Sequence, residues 1–396
     1  MRLLALIGLL LASFTSWGKA TWQEQQARAE DISAQYQAKY PQLRSDRIVF
    51  KTVTLPDASE LELDFRIVRP KTGGPFPVVF FVHGGAWGTG SKAQFTHESY
   101  VLADNGIAGV RLEYRWKKHG AKYPQALSDV MDAINFVRQH SSELNIDFTR
   151  VGLAGGSAGG HLSSIAAQLT PECISYDGYN GLFDAFERNG GRFGGGDYTG
   201  TSEAQKKAAS AMYIIKDNPP DTLLYHGTAD TTVVINQAYR FSDAIRAKGG
   251  NANVLAFDGA GHAFFNKAPY QTVTTQALLD HTSFVFGLTN KKPVLLDYAL
   301  VSKQVDVSKQ VDVSKQAVAP AVFQLAGSWQ QERNSAKLFE FKTNNLAISP
   351  SGVKLKWLIS DGNHKLFWKS GNLAKLEIIA VDKIKIGKTV YLKVSG

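Results

Sequence analysis

Residues 151 to 162 read VGLAGGSAGGHL, and within them Gly155-Gly156-Ser157-Ala158-Gly159 fits the pattern Gly-x-Ser-x-Gly. A serine in that setting can act as a nucleophile when a strand reverses sharply into a helix. Small neighbours then let the backbone tolerate the turn and leave the hydroxyl clear of it. Here a strand-like run, Val151 to Ala154, leads in, and a helical stretch from Gly160 leads out. Taken alone, the same residues also read as a glycine-rich helix start.

A serine hydroxyl is a weak nucleophile at neutral pH, so three further groups are required: donors for the developing oxyanion, a base for the proton, and an acid to hold the base's tautomer. About seventy residues upstream, the run Val78 to Val82 enters His83-Gly84-Gly85-Ala86-Trp87. Glycines after a strand can turn N–H groups toward the serine, which makes Gly84, Gly85 and the amide of Ala158 the expected oxyanion hole. His262, in Gly259-Ala260-Gly261-His262-Ala263-Phe264 after the run Val254 to Phe257, is the expected base. Asp230, in Tyr225-His226-Gly227-Thr228-Ala229-Asp230, is the expected acid. The order Ser157, Asp230, His262 is that of the α/β-hydrolase fold and differs from the two protease orders. Asp258 competes as the orienting acid, but so local a pair is more often a loop hydrogen bond. His226 and His161 read as packed or surface histidines. His97-Glu98 lacks the second histidine of a zinc-protease helix, and the glycines of 190 to 196 form no phosphate-binding fingerprint, so neither a metal nor a cofactor is expected. Trp87 and Phe264 flank the hole and the base; they are candidates for lining the acyl pocket, with ordinary core aromatics as the competing reading.

These loops need a scaffold that brings them together. Short β-branched runs (Ile48 to Leu55, Leu61 to Val68, Val78 to Val82, Ile107 to Tyr114, Thr222 to Tyr225) alternate with amphipathic stretches (Ala126 to His140, Gly160 to Gln168, Gln237 to Lys248, Thr272 to Phe286). Continuous apolar strands alternating with helices predict a mostly parallel sheet covered by helices on both faces. Pro56-Asp57-Ala58-Ser59 between the first two runs predicts an antiparallel hairpin at the start of the sheet. The catalytic domain is expected over 21–299.

The rest of the chain of 396 residues is organised differently. VSKQVD at 301–306 recurs at 307–312 and again as VSKQAV, a low-complexity linker over 300–320. From 321 to 396, apolar and polar residues alternate between turn signals, which predicts a small basic β-rich domain, a sandwich or barrel. From residue 317 onward stand 12 Lys and Arg against 5 Asp and Glu, whereas 21–299 balances 27 against 28; the net charge of +9 therefore belongs mostly to the tail. With Trp329, Trp357 and Trp368, this tail suits docking to polysaccharide, an anionic envelope or a protein, or is a plain solvated module; nucleic acid is not expected. A single cysteine, Cys173, excludes a disulfide scaffold and paired-cysteine zinc sites. Arg2, the apolar run Leu3 to Phe14 and the small residues Gly18 and Ala20 read as a cleaved signal peptide over 1–20. That predicts a periplasmic or secreted protein without a transmembrane segment, since ~12 apolar residues are too few to span a bilayer.

The motifs HGGAW, GGSAGGHL, FGGG (193–196), HGTAD and GAGHAFF together resemble bacterial α/β-hydrolase esterases of the feruloyl and acetyl-xylan esterase-like group, relatives of the hormone-sensitive-lipase family, over roughly 45–290. Two departures from hormone-sensitive-lipase relatives, Ala86 for a third glycine and Gly156 for an acid, favour the esterase-like group. The resemblance implies a serine triad of Ser157, Asp230 and His262 cleaving esters through an acyl-enzyme, but since such families split widely by substrate, neither acetyl nor feruloyl esters follow from the motifs; acylated carbohydrate or small esters are the expected class. A peptidase of prolyl-oligopeptidase type and a non-catalytic binding protein on the same fold are the alternatives.

Overall fold

The computed structural model describes residues 21–186, 198–291 and 293, and the backbone of eight strands between 327 and 393. The signal-like residues 1–20, the Phe193 run, the linker at 300–320 and Trp368 lie outside the described residues, as do the side chains of Trp329 and Trp357. The chain divides into two compact units, Met1–Ser302 and Lys303–Gly396.

Eight strands of the first unit form one mixed sheet. They are β1 (Leu43–Thr54), β2 (Glu60–Pro70), β3 (Phe76–Val82), β4 (Ala108–Leu112), β5 (Ile146–Gly156), β6 (Cys173–Tyr179), β7 (Asp221–Gly227) and β8 (Ala252–Phe257), in the order β1-β2-β4-β3-β5-β6-β7-β8. β1 and β2 form the expected antiparallel hairpin, β2 also runs antiparallel to β4, and every pair from β4 to β8 is parallel. The strand order reverses around β3. An open parallel sheet binds ligands at such a point, outside the carboxyl ends of its strands, because the connections there leave in opposite directions.

The central strands carry apolar side chains on both faces, as burial on two sides requires. Val78, Phe80 and Val82 of β3 join one core cluster, and Val79 and Phe81 join the other. The first cluster takes in residues of α3 (Tyr123–Gln139), α4 (Ala158–Leu169) and α6 (Asn236–Ala247). The second takes in Leu102 of α2 (Thr96–Asp104) and Val273, Ala277 and Leu278 of α7 (Tyr270–Val285). A short α5 (Glu203–Ala208) follows the undescribed stretch after residue 186.

An element absent from the sequence expectation precedes the sheet. Helix α1 (Trp22–Lys39) begins with a capping box: Glu24 N–H donates to Thr21 Oγ1 at 3.2 Å, and Thr21 N–H donates to Glu24 Oε2 at 2.7 Å. Its side chains reach the loop after β3, where Gln25 Oε1 accepts from Gly90 N–H at 3.2 Å and Gln25 Nε2 donates to Thr89 Oγ1 at 2.9 Å. Among the described residues no helix is long and apolar enough to cross a membrane. In the second unit, β9 (Gly327–Gln331) to β16 (Thr389–Lys393) pair antiparallel in sequence order, and β16 returns to β9 to close a barrel.

On α7, the buried His281 lies between two acids, Nδ1 at 3.0 Å from Asp177 Oδ2 and Nε2 at 3.2 Å from Asp221 Oδ1. Burial alone would drive the imidazole neutral, but the charges and hydrogen bonds of Asp177 and Asp221 outweigh it and raise His281 from 6.5 to about 10. The folded state therefore keeps a proton that the unfolded chain releases above pH 6.5. The pair's contribution is fully present below pH 6.5 and is lost as pH rises through about 10. The difference in denaturant midpoint between the wild type and His281→Gln is accordingly expected to shrink from pH 6.5 to 10, with a slope of roughly one proton; a pH-independent difference would refute the assignment.

Candidate active site

Ser157 sits between β5 and α4 at φ 53° and ψ −116°, a conformation that a non-glycine residue adopts only when its surroundings enforce it. The enforcement is close packing. A β-carbon at Gly159 would stand 2.0 Å from the Val82 carbonyl oxygen, and one at Gly156 would stand 2.6 Å from Phe265 Cζ, so both positions must be bare for the elbow to press against β3 and against the loop after β8. Ser157 N–H donates to Tyr179 O at 2.9 Å, which fixes the turn to the end of β6.

The three residues expected to act together meet. His262 Nε2 lies 2.8 Å from Ser157 Oγ, and His262 Nδ1 lies 2.7 Å from Asp230 Oδ2. A carboxylate oxygen only accepts, so Nδ1 carries the imidazole proton and Nε2 presents its lone pair to the serine hydroxyl. The Asp230 side chain is fully buried, while His262 keeps 21% exposure toward the site. Burial would raise the Asp230 carboxyl, but hydrogen bonds from His226 and His262, the His262 charge and the Val233 N–H hold it well below the usual carboxylate range. Its second oxygen accepts from the N–H groups of Thr232 at 2.8 Å and Val233 at 2.9 Å.

The competing groups have other partners. Asp258 accepts from the Thr228 hydroxyl at 3.1 Å. His226 Nε2 lies 2.7 Å from Val233 O and 3.4 Å from Asp230 Oδ2, and so supports the acid from behind. His161 is buried with Nε2 2.8 Å from Ala209 O, and burial lowers it to about 4. His97 Nδ1 faces Tyr36 Oη at 3.4 Å.

The oxyanion loop departs from expectation at one residue. Gly84 N–H donates to Gln94 Oε1 at 2.7 Å, so the side chain of Gln94 already uses the donor assigned to the hole. Among the described residues no acceptor meets the N–H of Gly85, Ala86 or Ala158, and these three are the donors left for an anion. Ala86 joins the set because its N–H, beside Gly85, meets no acceptor, in a loop that passes through positive φ at Gly85 (124°), Ala86 (53°) and Trp87 (59°). Ala158 opens α4, where the first N–H groups have no partner within the helix. Trp87 and Phe264 are core aromatics. Trp87 stacks on Tyr198 at 4.8 Å with its edge to His161, and Phe264 packs on Phe257 and Tyr270. Gln94 and Phe265 went unread because no motif marks a side chain that works by touching another element, and the Ala86 amide because the motif was read for its glycines.

The sheet order, the elbow and the three converging loops are those of the α/β-hydrolase fold, and the proteins this unit is similar to are named as esterases. Residues 63–189 match the family model described as BD-FAE. The esterase LipC of Mycobacterium tuberculosis is 30% identical over 220 residues, which cover 48% of this chain and 53% of that protein. The isoprenylcysteine alpha-carbonyl methylesterase ICME of Arabidopsis thaliana is 28% identical over 214 residues, 47% of this chain and 50% of that protein. The chain thus spans about half the length of the curated relatives it matches. Among solved structures, the native thermophilic esterase Est2 of Thermogutta terrifontis superimposes with a TM-score of 0.54 at 26% identity, covering 63% of this chain and 94% of that one.

Phe265 is held by stacking on Phe95 at 5.7 Å and by Tyr179 at 4.8 Å, so its ring cannot withdraw freely from Gly156. Gly156→Ala is expected to lower unfolding stability by about 1–3 kcal/mol through overpacking. Phe265→Leu in the same chain should recover part of that loss; additivity of the two substitutions in a double-mutant cycle would show that the ring is not the obstacle.

Proposed function

We propose that this protein is a serine carboxylic-ester hydrolase working through an acyl-enzyme on small esters or acylated carbohydrate. The observation that carries the reading is the 2.8 Å approach of His262 Nε2 to Ser157 Oγ, with Nδ1 of the same ring 2.7 Å from Asp230 Oδ2. In the first half-reaction His262 Nε2 takes the hydroxyl proton as Ser157 Oγ bonds to the ester carbonyl carbon, and the carbonyl oxygen becomes an anion. The N–H groups of Gly85, Ala86 and Ala158 receive that anion; donors of this kind are worth ~3–4 kcal/mol each in the transition state. Collapse breaks the bond to the alcohol oxygen, which leaves with the proton from His262. Water then loses a proton to His262, attacks the acyl carbon and releases the acid, returning the proton to Ser157.

The BD-FAE match and the esterase relatives support ester chemistry, and Est2 of Thermogutta terrifontis has been obtained phosphorylated by paraoxon, which fits a reactive nucleophile in this fold. Export is part of the same proposal: Arg2, the apolar run and the small residues Gly18 and Ala20 support a leader removed after residue 20, followed by the catalytic domain, the linker and a basic β-rich module.

Ser157→Ala is expected to lower p-nitrophenyl acetate hydrolysis by at least about 10⁴-fold with an unchanged circular dichroism spectrum, and Asp230→Asn by about 10³–10⁴-fold through the wrong tautomer. Wild-type turnover by Ser157→Ala would end the assignment. For export, Edman sequencing of the chain recovered from outside the cytoplasm is expected to begin at Thr21, and an intact Met1 there would refute cleavage.

A further inference from the structure

We propose that Asn180 is a positioning residue that holds the loop of the base in register with the nucleophile, an inference that rests on the esterase reading of Ser157 and His262. The end of β6 is where three site loops are tied. Tyr179 O accepts from Ser157 N–H at 2.9 Å, Asn180 N–H donates to Tyr225 O of β7 at 2.8 Å, and Asn180 Oδ1 accepts from Ala263 N–H at 3.3 Å. Two consecutive residues thus bind the elbow, the strand that leads to Asp230, and the residue after His262. Asn180 is fully buried at φ 39°, a left-handed backbone that asparagine tolerates better than other non-glycine residues. Because Ala263 donates, the carboxamide atom facing it must be the oxygen. The amide Nδ2 is then left without a partner among the described residues, so a buried donor is kept unsatisfied to place the acceptor at the Ala263 amide.

Ala263 itself is at φ 59°, so the turn that carries His262 is not one its own residues favour. Without the bond from Asn180 the imidazole loses a tether on its C-terminal side, while the Asp230 bond still holds the ring. The effect therefore falls on the distance from Nε2 to Ser157 Oγ, which governs turnover and not substrate capture.

The test uses the full-length chain and two variants. Asn180→Ala is expected to lower kcat for p-nitrophenyl acetate by about tenfold with KM within about twofold, and to slow fluorophosphonate labelling of Ser157 by the same factor. Asn180→Asp keeps an oxygen opposite Ala263 N–H and is expected to recover most of kcat. It should also move the acidic limb of the pH–rate profile upward, because a carboxylate added beside the base favours the imidazolium. Wild-type kcat and labelling rate in Asn180→Ala, or no recovery in Asn180→Asp, overturn the proposal. A wild type that neither hydrolyses the ester nor takes the label overturns the esterase reading, and this proposal with it.

Discussion

A neutral imidazole has one proton to place, and the bond from His262 Nδ1 to Asp230 Oδ2 decides where it goes. With the proton on Nδ1, the lone pair of Nε2 faces Ser157 Oγ; in the other tautomer Nε2–H would point at the hydroxyl and leave it no base. The carboxylate can play this part only while ionised, and a fully buried carboxylate normally resists ionisation. Four donors oppose that cost: the imidazoles of His262 and His226 and the N–H groups of Thr232 and Val233. The turn after β7 thus acts as an anion site built for a side chain of the protein itself.

The same bond constrains the sheet. Ser157, Asp230 and His262 follow β5, β7 and β8, and only parallel strands deliver all three loops to one edge. Between β5 and β7 stands β6, which carries no triad residue. Its end is where the loops are tied, through Tyr179 O and Asn180. On the other side the oxyanion loop follows β3, and its register against β5 pairs Val82 with Gly155. A slip in any of these pairings would move a donor or the nucleophile by a strand residue, ~3.3 Å, more than a hydrogen bond tolerates.

Ser157, Asp230 and His262 could be picked out of the chain because the chemistry expected of them restricts residue type and leaves marks in the neighbours: glycines where the backbone is crowded, strands just before each loop. The hairpin at Pro56–Ser59 was readable for the same reason, as were the helices with an apolar stripe. Helix α1 was not, because its buried face is Gln25, Ala29 and Ser33, a mixture without the apolar periodicity that marks a helix. Among its bonds, those to Gly90, to Thr89 and, through Tyr100 Oη to Ser33 O, to α2 reach residues more than sixty positions away. Gly84 was misread for a related reason. A glycine after a strand signals that a donor can be turned toward a site, but whether another side chain claims that donor depends on packing, and Gln94 lies beyond the turn at the far end of the loop.

Strain explains why so much of the molecule serves so small a site. Five residues other than glycine in the site loops, Ala86, Trp87, Ser157, Asn180 and Ala263, have positive φ, and each such conformation costs about 1–3 kcal/mol. None of these loops would hold its shape alone. Ser157 is pinned by Tyr179 O and by packing that forbids β-carbons at Gly156 and Gly159; Ala86 and Trp87 by the turn in which Gly88 and Thr89 N–H donate to Gly85 O; Ala263 by Asn180. The residues that supply these restraints come from β3, the end of β6, the loop after β3 and, through Phe265, the loop after β8, so the rigidity of the site is drawn from several elements of the sheet. An N–H donor that is to meet a charge existing only in a transition state must be kept from turning to other acceptors beforehand. Here the N–H groups of Gly85, Ala86 and Ala158 meet no acceptor among the described residues, the first two in a loop whose backbone is held at positive φ, while Gly84, one residue from Gly85, is satisfied by Gln94.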